Sequence, residues 1–368
     1  MPDRDKVGSI NLHVRRVAVV VPQQGPSGIF GPSCEAAARL AAAEVNAGQG
    51  ILGKPLELVF IDGGESPPMV AASLREAIDD GVDAVTGWHI SSVRRAIVPL
   101  LAGTIPYVYP ALYEGGERSD GVICTGEVPL AQIRPAMSWL RDELGVRRWF
   151  IAGNDYLWPR LTAASTVRFA HQEGLSIQGT RLVDMPSPAE QMSDLLDAVE
   201  RSDCQGVLML FPGLDGVEFN RQFAERELDR QVLRFSPLME ENMLMASGPE
   251  ATRGIFSAAG YFRSLVSTSA LDFQGRYAEA FGSEAPALNT VAESTYSALH
   301  VVASLAQLAG GMAVSQLAAA LDGAVVEVPR GRLTFAGHAA TQSVYLAEAR
   351  GCDFEIVTRL HGAGERQI

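Results

Sequence analysis

Cysteine is scarce, with four in 368 residues: Cys34, Cys124, Cys204 and Cys352. They stand far apart, with no CxxC and no nearby histidine, which excludes zinc spacing. They read as small buried side chains, with a long-range disulfide left open. Histidine is sparse too, and the six (His13, His89, His171, His300, His338 and His361) show no ligand spacing, so no metal is expected. GxGxxG, P-loop, GxSxG and HExxH patterns are missing, and with them the usual signs of nucleotide, serine-hydrolase and zinc-protease chemistry. No cofactor is called for. Runs of like charge, low-complexity tracts and Gly/Ser-rich linkers are absent as well. The most apolar stretch, Leu299 to Val314, is broken by Gln307 and two glycines and is too short to span a bilayer.

Positive charge is the other shortage. The formal net charge is −13, so a phosphate backbone would be repelled and nucleic acid is not expected as a direct partner. The basic pairs Arg15-Arg16, Arg94-Arg95 and Arg147-Arg148 read as solvated helix ends or strand edges. The segment Met1 to Arg16 is polar and lacks both the apolar stretch of a secretory leader and a lipobox-type cysteine. As a native start it implies a cytoplasmic protein. If a leader was removed, the protein is instead periplasmic, or extracellular and membrane-associated.

What is present is a regular alternation of strands and helices. With 47% hydrophobic residues the chain can build two ordinary cores. Arg16–Val21 (RVAVVV) is a short continuous apolar run, the pattern of a parallel strand buried on both faces. Ser33 is placed to cap the helix that follows, and Asn46-Ala47-Gly48 to end it. Further strands are expected at 56–61, 82–86, 149–152, 206–211 and 232–238, with helices between them. Helices dominate from Ser267 to Leu321, and a strand-like tail begins at Val325. This is too many βα units for one doubly wound sheet, so the expected fold is α/β with two Rossmann-like lobes, each built on a parallel sheet. The chain is expected to cross between lobes three times, near Gly126, near Gly254 and near Val328–Gly331. That gives one lobe from 1–126 plus 255–329 and another from 127–254 plus 330–368.

The most informative stretch runs from Gly87 to Gly115, GWHISSVRRAIVPLLAGTIPYVYPALYEG. It reads as strand end, polar turn, helix, strand and a Pro-marked aromatic turn. Two loops thereby meet at the carboxyl ends of neighbouring parallel strands, where open α/β sheets bind small ligands. Ser91 and Ser92 begin the helix, either as caps or as ligand contacts beside its free N–H groups. His89 serves there as ligand donor or as structural residue. Tyr109 and Tyr113 supply flat walls, and Tyr156 and Trp158 of NDYLWP (154–159) a second pair. Phe211 and Met239 follow later strand ends. Glu240 or Glu241 beside Met239 is either an ammonium holder or solvated surface. Ser91 has no evident base, so a hydrolase acting on a small amide is the weaker alternative to a non-enzymatic binding protein.

The segment from Asn46 to Leu58 (NAGQGILGKPLEL) is similar to the N-x-G-G-I-x-G-x-x-I/L signature of type I periplasmic-binding proteins, the group that resembles the Leu/Ile/Val-binding protein. Tyr109-Pro110 with Tyr113-Glu114-Gly115, and Asn154 to Pro159, resemble the short-chain amide- and urea-binding branch. That branch includes the amide sensor of an aliphatic amidase operon. The resemblance spans nearly the whole chain. It implies two lobes closing on a small polar ligand (an amide, urea or amino acid), with Ser91, Tyr109 and Tyr156 at the family's contact positions. Ala111-Leu112 replaces the branch's Thr-Pro, so Ala111 lines the site without a hydroxyl. Trp158 replaces a second Tyr, and Met239 stands where a polar residue is usual. The partner implied is an ABC permease, or a regulator protein if the chain is a cytoplasmic sensor; a homodimer is left open.

Overall fold

The computed structural model describes residues 14–360, and the polar segment 1–13 lies outside it. The chain opens with β1 (Arg15–Val21), α1 (Gly31–Ala47), β2 (Leu56–Asp62), α2 (Pro67–Asp79), β3 (Ala84–Thr86), α3 (Ser91–Leu101), β4 (Tyr107–Tyr109) and β5 (Val122–Cys124). It continues through α4 (Ile133–Leu144), β6 (Arg148–Asn154), α5 (Leu157–Ala170), β7 (Ser176–Val183), α6 (Ala189–Glu200), β8 (Gly206–Leu210), α7 (Leu214–Glu225), β9 (Leu233–Ser236), α8 (Glu241–Ser247) and β10 (Ile255–Ala259). Three helices follow, α9 (Thr268–Phe281), α10 (Thr290–Ala309) and α11 (Val314–Leu321), and then strands β11 (Val325–Val328), β12 (Gly331–Ala336) and β13 (Ala339–Thr341). The described residues end with β14 (Val344–Arg350) and β15 (Asp353–Leu360).

These strands form two sheets, one per lobe. The first has the order β11-β12-β13-β5-β4-β3-β1-β2 and the second β15-β14-β10-β9-β8-β6-β7. Each is mostly parallel with an antiparallel edge: β11 and β12 close the first, β14 and β15 the second. In β1 the residues from Val17 to Val21 are wholly buried, as a strand covered on both faces requires. The signature asparagine has a clear mechanical task. Asn46 Nδ2 donates to Leu56 O at 2.9 Å while its Oδ1 accepts from Leu56 N at 2.7 Å, clasping the end of α1 to the start of β2.

Two of the expected crossings fall elsewhere. Gly254 is a left-handed turn (φ 67°) that leads into β10, and β10 pairs parallel to β9, so the chain is still in the second lobe. It returns to the first through 260–267. The segment 328–331 is a tight hairpin between β11 and β12, with Val328 opposite Gly331, and the last crossing is Gln342-Ser343. Gly and Pro signal a turn, and a turn that stays in its sheet looks the same in sequence as one that leaves it. The chain first leaves the first sheet through residues 125–132. Helix starts were also misplaced. Ser33 is already inside α1 and donates to Phe30 O at 3.0 Å, so it does not cap.

A buried knot ties the three crossings together. Arg330 Nη1 donates to Glu127 Oε1 of the first at 3.0 Å and to Gln342 Oε1 of the third at 2.8 Å. Gly260 N of the second donates to the same Glu127 oxygen at 2.8 Å. Gln342 Nε2 donates to Thr125 O at 2.8 Å, and the Arg330 guanidinium also pairs with Glu293 of α10. Among the described residues no single helix is long and apolar enough to cross a membrane.

Candidate functional site

Two helix starts meet at the seam between the lobes. Helix α3 follows β3 in the first lobe, and α5 follows β6 in the second. Its preceding residue, Ile90, is extended and gives α3 no side-chain cap, so neither Ser91 nor Ser92 caps its own helix. Ser91 Oγ instead accepts from Trp158 N at 3.0 Å, across the seam. It thus does for α5 what a cap residue would do, from the other lobe. Ser91 is 2% exposed and Ser92 is half-buried. Among the described residues the Ser91 and Ser92 N–H groups meet no protein acceptor, leaving the positive end of α3 open at the seam. Gly87 makes the approach to this turn feasible. Its φ is 116°, and a Cβ there would lie 2.3 Å from Val20 O.

The wall on the first lobe is a buried polar cluster. Tyr109 Oη donates to His89 O at 2.8 Å, and Tyr107 Oη is 2.9 Å from His89 Nε2. His89 is wholly buried, and burial pushes its imidazole down to about 3, so it is neutral and structural. The Arg94 guanidinium lies 5.0 Å from the Tyr109 ring centre and 5.4 Å from that of Tyr113. It pairs with Glu114 and lies 3.5 Å from Glu117. The expected solvated reading of Arg94 is therefore wrong: the residue is 5% exposed, whereas Arg95 is exposed. Burial opposes the Arg94 charge, but the surrounding Tyr109 and Glu114 outweigh it and its pKa ends above the ordinary value. Ala111 and Tyr113 are buried against the first crossing, where Tyr113 N donates to Glu127 O at 2.9 Å.

On the second lobe the wall is mainly apolar. The Tyr156 and Trp158 rings lie 6.4 Å apart at 39°. Tyr156 is half-buried as a residue, yet burial carries its phenol well above the usual range, and Tyr109 and Glu114 across the seam add to this. Phe211 and Met239 turn away into the lobe. The Phe211 ring sits 5.2 Å from Phe219, and Met239 Sδ accepts from Asn220 Nδ2 at 3.6 Å. Gly213, just after Phe211, brings the lobes into contact: a Cβ there would lie 2.1 Å from Pro26 O. Glu240 and Glu241 are neither solvated nor free. Glu240 Oε2 accepts from Thr290 N at 2.9 Å, at the start of α10 in the other lobe, and Glu241 Oε1 accepts from Arg263 N at 2.7 Å. Burial pushes both carboxyls up, Glu241 to about 7.

Ser91, Ser92, Tyr109, Tyr156 and Trp158 therefore gather at the seam, while His89, Phe211 and Met239 support it from behind. Sequence reasoning missed the Arg94–Glu114–Glu117 group and the Arg330 knot. The only sequence signal for the first was Arg94 one helical turn after Ser91. The structure also has an open groove of about 800 Å³ lined by Arg221, Arg230, Ser247 and Arg253. It lies at the amino-terminal edge of the second sheet, the wrong end for ligand capture by this kind of fold. Of the four cysteines, Cys352 is half-buried where burial was expected, and all four are free thiols.

Comparison with known proteins agrees with this architecture. The family model described as periplasmic binding protein matches residues 15–353. A solute-binding protein of an ABC transporter from Rhodopseudomonas palustris, solved with 4-hydroxybenzoate, superimposes with a TM-score of 0.84 at 18% identity, covering 95% of this chain and 97% of that one. A second, from R. palustris BisB5 with 3,4-dihydroxybenzoic acid, gives 0.80 at 22% identity, covering 95% and 99%. The leucine-binding protein LivK of Thermotoga maritima gives 0.79 at 19% identity, covering 94% and 99%. The likeness to all three is one of fold, the two-lobed type I architecture. With the family model matching nearly its whole length, the chain belongs to the periplasmic binding protein family, whose members bind solutes and are not enzymes.

Proposed function

We propose that this chain is the solute receptor of an ABC-type importer and closes its lobes on a small ligand at the seam between α3 and α5. The observation that carries the reading is the cross-lobe bond from Trp158 N to Ser91 Oγ between two helix starts. A ligand oxygen, carbonyl or carboxylate, placed there would meet the open N–H groups of α3, while Tyr156 and Trp158 cover an apolar body. Closure then has a physical cause, because such a ligand touches both lobes only when they are shut. Amides, ureas and amino acids are the ligand classes proposed. The small aromatic acids held by the two R. palustris proteins belong in the same screen.

A thermal-shift screen of these four classes identifies the ligand, since a solute that binds only the folded state raises the melting temperature. Calorimetry then tests the site. Tyr156→Ala is expected to weaken binding at least tenfold. Ser91→Ala, which removes one hydrogen bond of about 1 kcal/mol, is expected to weaken it roughly fivefold. Unchanged affinity in both variants would remove the seam as the site.

A further inference from the structure

Arg94, Glu114 and Glu117 form a charged group beside the seam that the ligand contacts proposed above leave unused. Their side chains retain only 6%, 13% and 12% of their exposure. One cation facing two carboxylates leaves net negative charge in a place largely withdrawn from water. His89 behind it adds none to balance this, because it is neutral. The start of α3 offsets part of the charge, with the weight of about half a unit.

Within this group two side-chain atoms lack a hydrogen-bond partner, Arg94 Nη1, which is turned to the Glu117 carboxylate at 3.5 Å, and one oxygen of Glu114. Glu114 Oε1 accepts from Arg94 Nη2, but Glu114 Oε2 is buried and has no partner. A buried carboxylate oxygen left unpaired is costly, which makes it a ready acceptor for a donor that arrives. Its position is right for one. Glu114 sits in the turn after β4, at the carboxyl edge of the first sheet, and is paired to Arg94, one turn into the helix α3 whose start lies at the seam.

We propose that Glu114 decides which head group the cleft accepts: its free oxygen takes an N–H from a neutral ligand, and its charge turns a carboxylate away. This rests on the reading that the seam is the ligand site. Arg94 is a positioning residue. Held against two tyrosine rings, it fixes one Glu114 oxygen and so aims the other. The head group selected is a carbonyl with an adjoining N–H, oxygen toward the α3 start and nitrogen toward Glu114.

Benzamide and benzoate, which share a flat body and differ in this head group, are the probes. By calorimetry the wild type is expected to bind benzamide at least tenfold tighter than benzoate. Glu114→Gln, which keeps the shape and removes the charge, is expected to bring that ratio below threefold with the circular-dichroism spectrum unchanged. A wild-type preference for benzoate, or a ratio unaltered in Glu114→Gln, overturns the assignment. If Glu114→Gln does not fold, the wild type is compared on benzamide and N,N-dimethylbenzamide, and equal affinity overturns it. Tyr156→Ala weakening both probes while Glu114→Gln leaves their ratio intact would leave the seam standing and Glu114 without this role. A wild type silent to both probes overturns the head-group assignment, and the wider solute screen judges the seam separately.

Discussion

The two walls of the seam are built from opposite materials. On the first lobe, His89, Tyr107, Tyr109, Arg94 and Glu114 form a buried polar lattice joined by hydrogen bonds and ring–cation contacts. On the second, Phe211, Phe219 and Met239 present a hydrocarbon interior behind Tyr156 and Trp158. A polar lattice is rigid and discriminating because each member is expensive to leave unpaired. A hydrocarbon wall tolerates change and mainly excludes water. On the function proposed above, the difference divides the labour: the first lobe would choose the ligand, and the second would cover it.

The strongest test of that division is Arg94→Met. It leaves Glu114 and Glu117 buried without their cation and should cost about 3–5 kcal/mol in urea denaturation, with ligand affinity lost as well. A loss below about 1 kcal/mol would show that the polar wall is not a lattice. Next in size is a pH effect at His89. Its folded pKa, down at about 3, lies below the ordinary 6.5, so the stability tied to its neutral form is complete above 6.5 and drains away as pH falls. Between pH 7 and pH 5 the stability gap between wild type and His89→Gln should shrink by about 2 kcal/mol. The gap is the right measure, because Glu241, raised to about 7, runs the other way in both proteins and gains stability on acidification. A gap that stays constant with pH would mean that His89 is charged or exposed. The smallest effect is expected on the covering wall. Phe211→Leu should cost about 1 kcal/mol and leave ligand affinity within twofold, since the ring faces Phe219 and not the seam. A larger change in affinity would erase the contrast between the walls.

Much of this was legible in the sequence, for identifiable reasons. RVAVVV has the pattern of a strand covered on both faces, and in parallel sheets the loops after β3, β4 and β6 fall at the carboxyl edges. That geometry pointed to Ser91, Tyr109 and Tyr156, which the structure places at the seam. Phe211 and Met239 also follow strand ends, but side-chain direction there depends on packing against α7, which periodicity does not reveal. Arg94 looked solvated because its acid partners lie twenty or more residues further on, in a turn with no regular pattern. The crossings were misplaced for a related reason. Gly254 and the 328–331 hairpin are real turns, and only strand pairing shows that the chain stays in its sheet.

The chain order of the sheets bears on how the protein is made. Strand β5 acquires its neighbour β13, and β10 its neighbour β14, only near the end of the chain. At synthesis rates of about 5–20 residues per second, β5 emerges roughly ten to forty seconds before the segment that covers it. Throughout that interval the first lobe carries an open sheet edge, and once β10 has emerged the second does too, the kind of surface that recruits stray strands. The first sheet is completed only at β13, just before β14 and β15 complete the second, so a chain stopped short of β13 would leave two unfinished sheets where a simpler two-domain protein would leave one.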